Sequence, residues 1–312
     1  MHNEAHTTSE SEQWRESVAV IGTGAMGSAI ARRLLDAGMT VGVWNRSAQP
    51  AVALAELGAT AFFDPKDAVA EASVVLTLLP TAETVTDVMI DRHVVEAMAP
   101  QAAWVQMGTI GVEATEALVS AVRARRPDVR FVDAPVSGSR HPAESGELLV
   151  LASGPEAAAD TVGPVFDAIG RRTLWLGPAG TGSRLKLVLN TWLVFEVEAA
   201  AEAAALAARL GIAPGVLAAA VDGNPFASSL ATAKLSKIQS ADDRSDFALE
   251  WALKDLELMR AAVGSRHAPI ALAIADRWRG LVEQGFGGLD VSAARLGLGD
   301  ERAMAAVTGA GP

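Results

Sequence analysis

Two stretches of this chain carry residue types whose spacing suits chemistry. In Gly180-Thr181-Gly182-Ser183-Arg184-Leu185-Lys186-Leu187-Val188-Leu189-Asn190, two glycines close a loop and a helix follows. Lys186 and Asn190 are four residues apart and so share one face of that helix. The flanking residues are apolar, and Thr191-Trp192-Leu193-Val194-Phe195 continues the run. An ammonium and an amide in such surroundings need partners, because an unpaired buried charge is costly. The plain alternative is a lysine that snorkels to the surface beside a structural asparagine. The second stretch, Gly22-Thr23-Gly24-Ala25-Met26-Gly27, is a GxGxxG run. Its glycines suit a tight turn, close approach of a pyrophosphate and helix–strand packing, with the following helix N-terminus facing the phosphates.

The elements around these stretches support both readings. Ser17-Val18-Ala19-Val20-Ile21 is an apolar strand that runs into the glycines, and a helical pattern with Ile30, Leu34 and Leu35 follows to Gly38. A second strand, Thr40 to Trp44, ends at Asn45-Arg46-Ser47. An acid there would hold a ribose 2′-hydroxyl. Asn45 instead tolerates a 2′-phosphate, Arg46 can pair with it and Ser47 can donate to it, which points to NADP. An ordinary surface arginine is the alternative.

Further short strands are expected at Ala61–Phe63, Ser73–Leu79, Trp104–Met107, Arg130–Asp133, Leu148–Ala152 and Arg172–Leu176, with helices between them. This alternation predicts an α/β, doubly wound, mostly parallel Rossmann-type sheet. Ligands of such sheets lie beyond the carboxyl ends of the strands, which brings Leu79, Pro80, Thr109, Ser137 and Gly138 near one another. Taken singly, a loop Ser or Thr is more often a cap or turn former.

After Gly182 the strands stop, and an all-helical C-terminal domain is expected. Leu185 to Leu210 reads as one long interdomain helix, and about 26 residues span roughly 40 Å. Later helices are expected at Pro214–Ala220, Ser229–Ser236, Asp246–Val263, Ala268–Gln284 and Val291–Leu296. The long helix is apolar on too many sides for a surface helix, which suggests burial in a second domain or partner chain, hence a homodimer or homotetramer. The resulting organisation is a disordered leader over 1–16, the NADP-binding domain over 17–178, the helical substrate and dimerisation domain over 179–300, and a tail over 301–312.

Composition excludes other classes. The 312 residues are half hydrophobic, enough for about two cores. A formal net charge of −11 without a basic run argues against nucleic acid and anionic membrane. The absence of cysteine removes disulfides and thiolate chemistry, and the five scattered histidines offer no metal site. No apolar run would span a bilayer, and the polar first sixteen residues lack a signal-peptide core, so a cytoplasmic protein is expected.

With these pieces in order, the chain resembles the β-hydroxyacid dehydrogenases from about Val18 to Ala294. The resemblance rests on the GxGxxG run and on Asp133-Ala134-Pro135-Val136-Ser137-Gly138-Ser139, continuing as Pro142-Ala143-Glu144-Ser145-Gly146-Glu147-Leu148. It rests also on Gly180-x-Gly182-x-x-x-Lys186-x-x-x-Asn190, and on Phe247 followed by Lys254-Asp255-Leu256. The loop Ser137 to Glu144 is most similar to the glyoxylate/succinic semialdehyde reductase branch. One departure is Gly108, where the family usually has Ser before the Thr.

The resemblance implies Lys186 as general acid and Asn190 as a substrate-orienting residue. Ser137 and the Gly138 amide would hold a substrate carboxylate, with Thr109, Phe247 and Asp255 lining that site. Lys254 and Thr109 would meet the cofactor, NADP, with NAD the alternative; Leu79 and Pro80 are expected beside it from their place at a strand end. The implied activity is NADPH-dependent reduction of small aldehyde acids. A 3-hydroxyisobutyrate-type dehydrogenase using NAD is the runner-up, and a noncatalytic NADP-binding protein is the reading from another class. Imine reductases share the fold but generally lack the lysine. The chemistry agrees: a hydride added to a carbonyl carbon needs a proton for the alkoxide, and lysine, with an ordinary pKa of about 10.4, starts protonated at neutral pH.

Overall fold

The computed structural model describes residues 17–264 and 266–298, so the leader and the tail expected at the two ends lie outside the described residues. Six strands form the first sheet: β1 (Ser17–Ile21), β2 (Thr40–Trp44), β3 (Thr60–Ala61), β4 (Val74–Thr77), β5 (Ala103–Gln106) and β6 (Arg130–Asp133). Their order is β3-β2-β1-β4-β5-β6 and every pairing is parallel. That is the Rossmann arrangement, with the chain reversing direction across the sheet between β1 and β4. Val18 and Val20 of β1 enter one core and Ala19 and Ile21 another, so alternate side chains of one strand feed both faces. Burial on both faces explains why these strands read as unbroken apolar runs.

The strand series does not continue as one sheet. β7 (Val136–Ser137), β8 (Leu148–Ala152) and β9 (Gly170–Trp175) form a separate three-stranded sheet, with β7 antiparallel to β8 and β8 parallel to β9. Only Ala134 and Pro135 separate β6 from β7, too few for the crossover of a dozen or more residues that a parallel neighbour requires. Among the described residues one antiparallel bridge, Asp133 to Ser153, joins the two sheets by backbone hydrogen bonds, and the sheets share one hydrophobic core. At the far edge, β3 stops at Ala61 instead of Phe63. Phe62 gives one further hydrogen bond to the Val43 carbonyl (2.9 Å), and Phe63 lies exposed.

The long helix runs from Thr181 to Arg209, a full turn earlier than its apolar pattern suggests, and spans roughly 44 Å. Its early start comes from capping at a distance. The Asp133 Oδ2 atom accepts from the Gly180 and Ser183 amides (3.1 and 2.8 Å), and the Ser153 hydroxyl accepts from the Gly182 amide (2.9 Å). These groups satisfy N–H donors that a helix N-terminus leaves without partners.

Leu187, Val194, Val197 and Ala201 then enter a third core with Leu253, Leu256, Trp278 and Leu281 from the helices Leu249–Val263 and Pro269–Leu281. The first of these helices starts three residues later than the pattern suggests, because Asp246 and Phe247 give their amides to Asp290 Oδ2 (3.0 and 3.3 Å). Helices Pro214–Val221 and Ser229–Ser240 belong to the same domain, as does Val291–Arg295, which forms a short 3₁₀ helix where an ordinary helix to Leu296 is expected. Among the described residues no helix is long and apolar enough to cross a membrane. Within one chain the long helix still presents Val188, Trp192 and Phe195 to solvent.

Gly182 marks how closely the long helix meets the second sheet. A Cβ there would lie 2.1 Å from the Leu151 carbonyl oxygen. Gly182→Ala should therefore cost about 1–3 kcal/mol or more, the range for overpacking, because backbone must move to admit the methyl. A thermal or denaturant midpoint equal to that of the unsubstituted protein would show that this contact does not constrain the fold.

Candidate active site

The cofactor end of the site is built at the carboxyl end of β1. Gly22 adopts φ +101°, which opens the turn. A Cβ on Gly27 would sit 1.9 Å from the Gly22 carbonyl oxygen, so the first helix can pack here only without a side chain. Gly24, by contrast, has nothing within 4 Å of where its Cβ would be. It stands at the N-terminus of the helix Ala25–Asp36, where no side chain caps the first amides. Ala25 opens that helix and Met26 packs against the first core.

The Thr23 hydroxyl is buried and has no hydrogen-bond partner. Free amides, an open glycine and an orphaned hydroxyl together fit a pyrophosphate, which brings acceptor oxygens and negative charge to the helix N-terminus. Leu79, from the loop after β4, packs over Gly22, and Pro80 beside it is exposed.

Asn45 has a second task besides tolerating a phosphate. Its Oδ1 accepts from the Thr23 amide (3.1 Å), and its Nδ2 donates to the Ser47 carbonyl (3.1 Å) and hydroxyl (2.9 Å). It thereby ties the glycine loop to the end of β2. Arg46 is exposed and lines a cavity of about 360 Å³ with Trp44, Phe63, Asp64, Lys66 and Arg92. Lys66 and Arg92 escape a reading of the sequence, since only the sheet order brings the segments that carry them beside β2. Arg92 also pairs with Asp87 (2.6 Å).

At the other end, Asp133 fixes the long helix that carries Lys186. Besides the two amides, it accepts from the Ser183 hydroxyl at Oδ1 (2.6 Å) and the Ser153 hydroxyl at Oδ2 (3.1 Å). Burial pushes this carboxyl above the usual range, and the hydrogen bonds from Ser183, Ser153 and Gly180 oppose that rise. Lys186 follows Ser183 by three residues.

Lys186 is half-buried, but enough protein surrounds it for lost hydration to lower its pKa to about 8. Asp255 opposes the shift and the positive charge of Lys254 adds to it. Asn190 is buried and gives its amide to Asp255 Oδ2. Lys254 lies 2.8 Å from Asp255 Oδ1 and donates to the Thr109 carbonyl. Thus Asn190, Asp255, Lys254 and Thr109 form one connected cluster, with Lys186 one helical turn before Asn190 on the long helix.

Ser137 is half-buried at the end of β7, which packs against the long helix. Gly138 follows at φ +136°, and a Cβ there would meet Leu148 Cδ2 at 2.8 Å. Phe247 packs against the helical core and is anchored by Asp290. Gly108 has a structural reason: its Cβ would meet the Leu79 carbonyl oxygen at 2.6 Å. The buried Gln106 holds the Gly108 carbonyl (3.1 Å) while accepting from the Thr77 hydroxyl, which in turn accepts from Trp104 Nε1 (3.0 Å).

A glycine-loop nucleotide domain facing a lysine–amide cluster on a helical domain defines an NAD(P)-dependent oxidoreductase. Residues 17–177 match the family described as the NAD binding domain of 6-phosphogluconate dehydrogenase, and residues 180–296 that described as NAD-binding of NADP-dependent 3-hydroxyisobutyrate dehydrogenase. The chain belongs to the β-hydroxyacid dehydrogenase family, whose members act on CH–OH groups.

It is 29% identical over 280 residues to glyoxylate/succinic semialdehyde reductase 1 of Arabidopsis thaliana, a match covering 88% of this chain and 96% of that protein. It is also 29% identical over 263 residues to 3-sulfolactaldehyde reductase of Escherichia coli (strain K12), covering 84% and 88%. Among solved structures, 3-hydroxyisobutyrate dehydrogenase from Salmonella typhimurium has a TM-score of 0.81 at 28% identity, covering 90% of this chain and 99% of that one.

The open space at Gly24 separates binding from folding. Gly24→Ala should leave stability within about 0.5 kcal/mol, as for a substitution that meets no neighbour. Dinucleotide affinity should nevertheless fall by about tenfold or more, a loss of ~1.4 kcal/mol, because the methyl occupies the space beside the helix N-terminus. Calorimetric titration with cofactor checks this, and unchanged affinity would remove the glycine loop as the phosphate seat.

Proposed function

We propose that this protein reduces small aldehyde acids to hydroxy acids with NADPH, and that Lys186 supplies the proton. The observation that carries the reading is the placement of Lys186 one helical turn before the buried Asn190, which Asp255 holds; burial lowers the Lys186 pKa to about 8, so it stays mostly protonated at neutral pH yet can release that proton. When bound, the reduced nicotinamide supplies a hydride to the carbonyl carbon. As the carbonyl π bond opens, the oxygen takes a proton from Lys186 Nζ, leaving a neutral amine that solvent reprotonates. Until that transfer, the ammonium also stabilises the developing alkoxide. Asn190, held by Asp255, orients the substrate oxygen, while Ser137 and the Gly138 amide receive its carboxylate. Thr109 and Phe247 border the substrate; Lys254 and the loop Leu79–Pro80 border the cofactor.

The relatives support an anionic aldehyde as substrate, since glyoxylate, succinic semialdehyde and 3-sulfolactaldehyde all pair a carbonyl with an acid group. The cluster of Arg46, Lys66 and Arg92 around one cavity favours a 2′-phosphate and hence NADPH over NADH. Oxidation of a 3-hydroxyisobutyrate-type substrate is the second reading, favoured by the structural similarity to that dehydrogenase. It needs neutral Lys186 and gains from higher pH. The apolar strip Val188, Trp192 and Phe195 supports assembly as a homodimer or homotetramer.

A panel of aldehydes and hydroxy acids with both cofactors tests this directly. Glyoxylate and succinic semialdehyde should turn over with NADPH, and matching aldehydes without a carboxylate should be poor. Ser137→Ala should chiefly raise KM, the mark of a lost ground-state contact. Arg46→Ala should weaken NADPH far more than NADH. Equal turnover of charged and uncharged aldehydes would remove the carboxylate seat, and equal losses of the two cofactors would remove Arg46 from the phosphate.

A further inference from the structure

Lys254 and Asp255 are consecutive residues of the helix Leu249–Val263. Consecutive side chains leave a helix about 100° apart and do not ordinarily meet. Here Lys254 Nζ and Asp255 Oδ1 are nevertheless 2.8 Å apart. Each also meets a partner on another element. Lys254 donates to the Thr109 carbonyl, in the loop after β5. Asp255, only 4% exposed, accepts at Oδ2 from Nδ2 of the buried Asn190 on the long helix. Four residues on three elements thus make one unbroken line of contacts, from Thr109 through Lys254 and Asp255 to Asn190.

Each link in that line depends on the one before it. Asp255 Oδ1 is buried and accepts no aligned hydrogen bond among the described residues, so the Lys254 ammonium beside it is what offsets its charge. Without that ammonium a carboxylate oxygen would be buried with neither donor nor countercharge, which is costly. The carboxylate would escape by turning or by taking up a proton, and either change disturbs the oxygen that holds Asn190. An ionised carboxylate only accepts, so it also dictates that the Asn190 amide faces it with Nδ2 and keeps Oδ1 for another donor.

We propose that Lys254 is a positioning residue for the substrate: held on the Thr109 carbonyl, it fixes Asp255, and through Asp255 it fixes the carboxamide of Asn190. The proposal rests on the reading of Asn190 as the residue that orients substrate. Lying beside the cofactor does not account for Lys254 by itself, because the directed hydrogen bond it makes goes to protein. Thr109 belongs to the nucleotide domain and Asn190 to the long helix, so the orientation of the substrate depends on a contact between the domains.

The test is a double-mutant cycle in the full chain, joining Lys254→Met with Asn190→Ala, beside calorimetric titration with NADPH. Lys254→Met should lower kcat/KM for an aldehyde acid by about tenfold or more, the scale of one lost hydrogen bond to a bound ligand. The NADPH Kd should stay within about threefold. In the Asn190→Ala background the same substitution should cost less than about twofold, because the group through which Lys254 acts is gone. Lys254→Arg keeps the charge and a donor and should retain most of the activity. Should Lys254→Met not fold, Lys254→Gln, which keeps a donor without the charge, takes its place. Equal losses in both backgrounds would overturn the proposal, as would an NADPH Kd that weakens as far as kcat/KM falls.

Crystal structures of Lys254→Met and Lys254→Arg read the same line of contacts without turnover. Asn190 and Asp255 should part in the methionine variant and stay bonded in the arginine variant. An intact Asn190–Asp255 bond in Lys254→Met would overturn the proposal. If the unsubstituted protein turned over no aldehyde acid, the substrate reading would fail, and these two structures would still decide whether Lys254 holds Asn190.

Discussion

A buried carboxylate, Asp133, joins the two halves of the molecule. It sits at the end of β6, the last strand of the nucleotide sheet, and receives the first amides of the long helix together with the Ser183 hydroxyl. Burying such a group without partners would be costly, and these hydrogen bonds satisfy it. The helix N-terminus adds partial positive charge to the same spot. Lys186 comes three residues after Ser183 and Asn190 four further on. The direction in which both side chains leave the helix is therefore fixed by a group belonging to the sheet.

A second set of polar contacts joins the domains. Lys254 reaches from the helical domain to the Thr109 carbonyl, just past the end of β5. That carbonyl is positioned from below, because Gln106 holds Gly108 and is itself held through Thr77 by Trp104. Gly108 allows the loop after β5 to approach the Leu79 carbonyl more closely than any side chain would permit. The departure from the family's usual serine thus reflects local backbone packing in this chain. On the outer side, Arg184 and Glu116 form an exposed ion pair between the long helix and the helix Val112–Arg125, a contact worth at most about 1 kcal/mol.

Local patterns revealed much of this. The strand, turn and helix around Gly22–Gly27 could be read directly, because sterics decide where glycine is required. Lys186 and Asn190 stood out because polar groups in an apolar helix need explanation. The three-stranded sheet β7-β8-β9 was not legible as a separate sheet. Apolar runs identify buried strands but not their partners, and only the short β6–β7 link betrays the break. The capping role of Asp133 was hidden for a related reason: its partners are up to fifty residues away. Lys66 and Arg92 reach the cavity at Arg46 through sheet order, which no local pattern encodes. Nor could composition reveal that Asp255 would be buried against Asn190.

The central claim is that Lys186 transfers the proton that accompanies hydride addition. Single-turnover reduction of an aldehyde acid by bound NADPH tests it most directly, comparing Lys186→Met and Lys186→Arg with the unsubstituted protein. The account predicts that NADPH affinity survives in both, since the dinucleotide is held at the glycine loop. Hydride transfer should fall by ~100-fold or more in the methionine variant, the scale for losing a positioned general acid, and nearly as far with arginine, which keeps the charge but hardly ever releases a proton. Hydride transfer near the original rate in Lys186→Met would contradict the account.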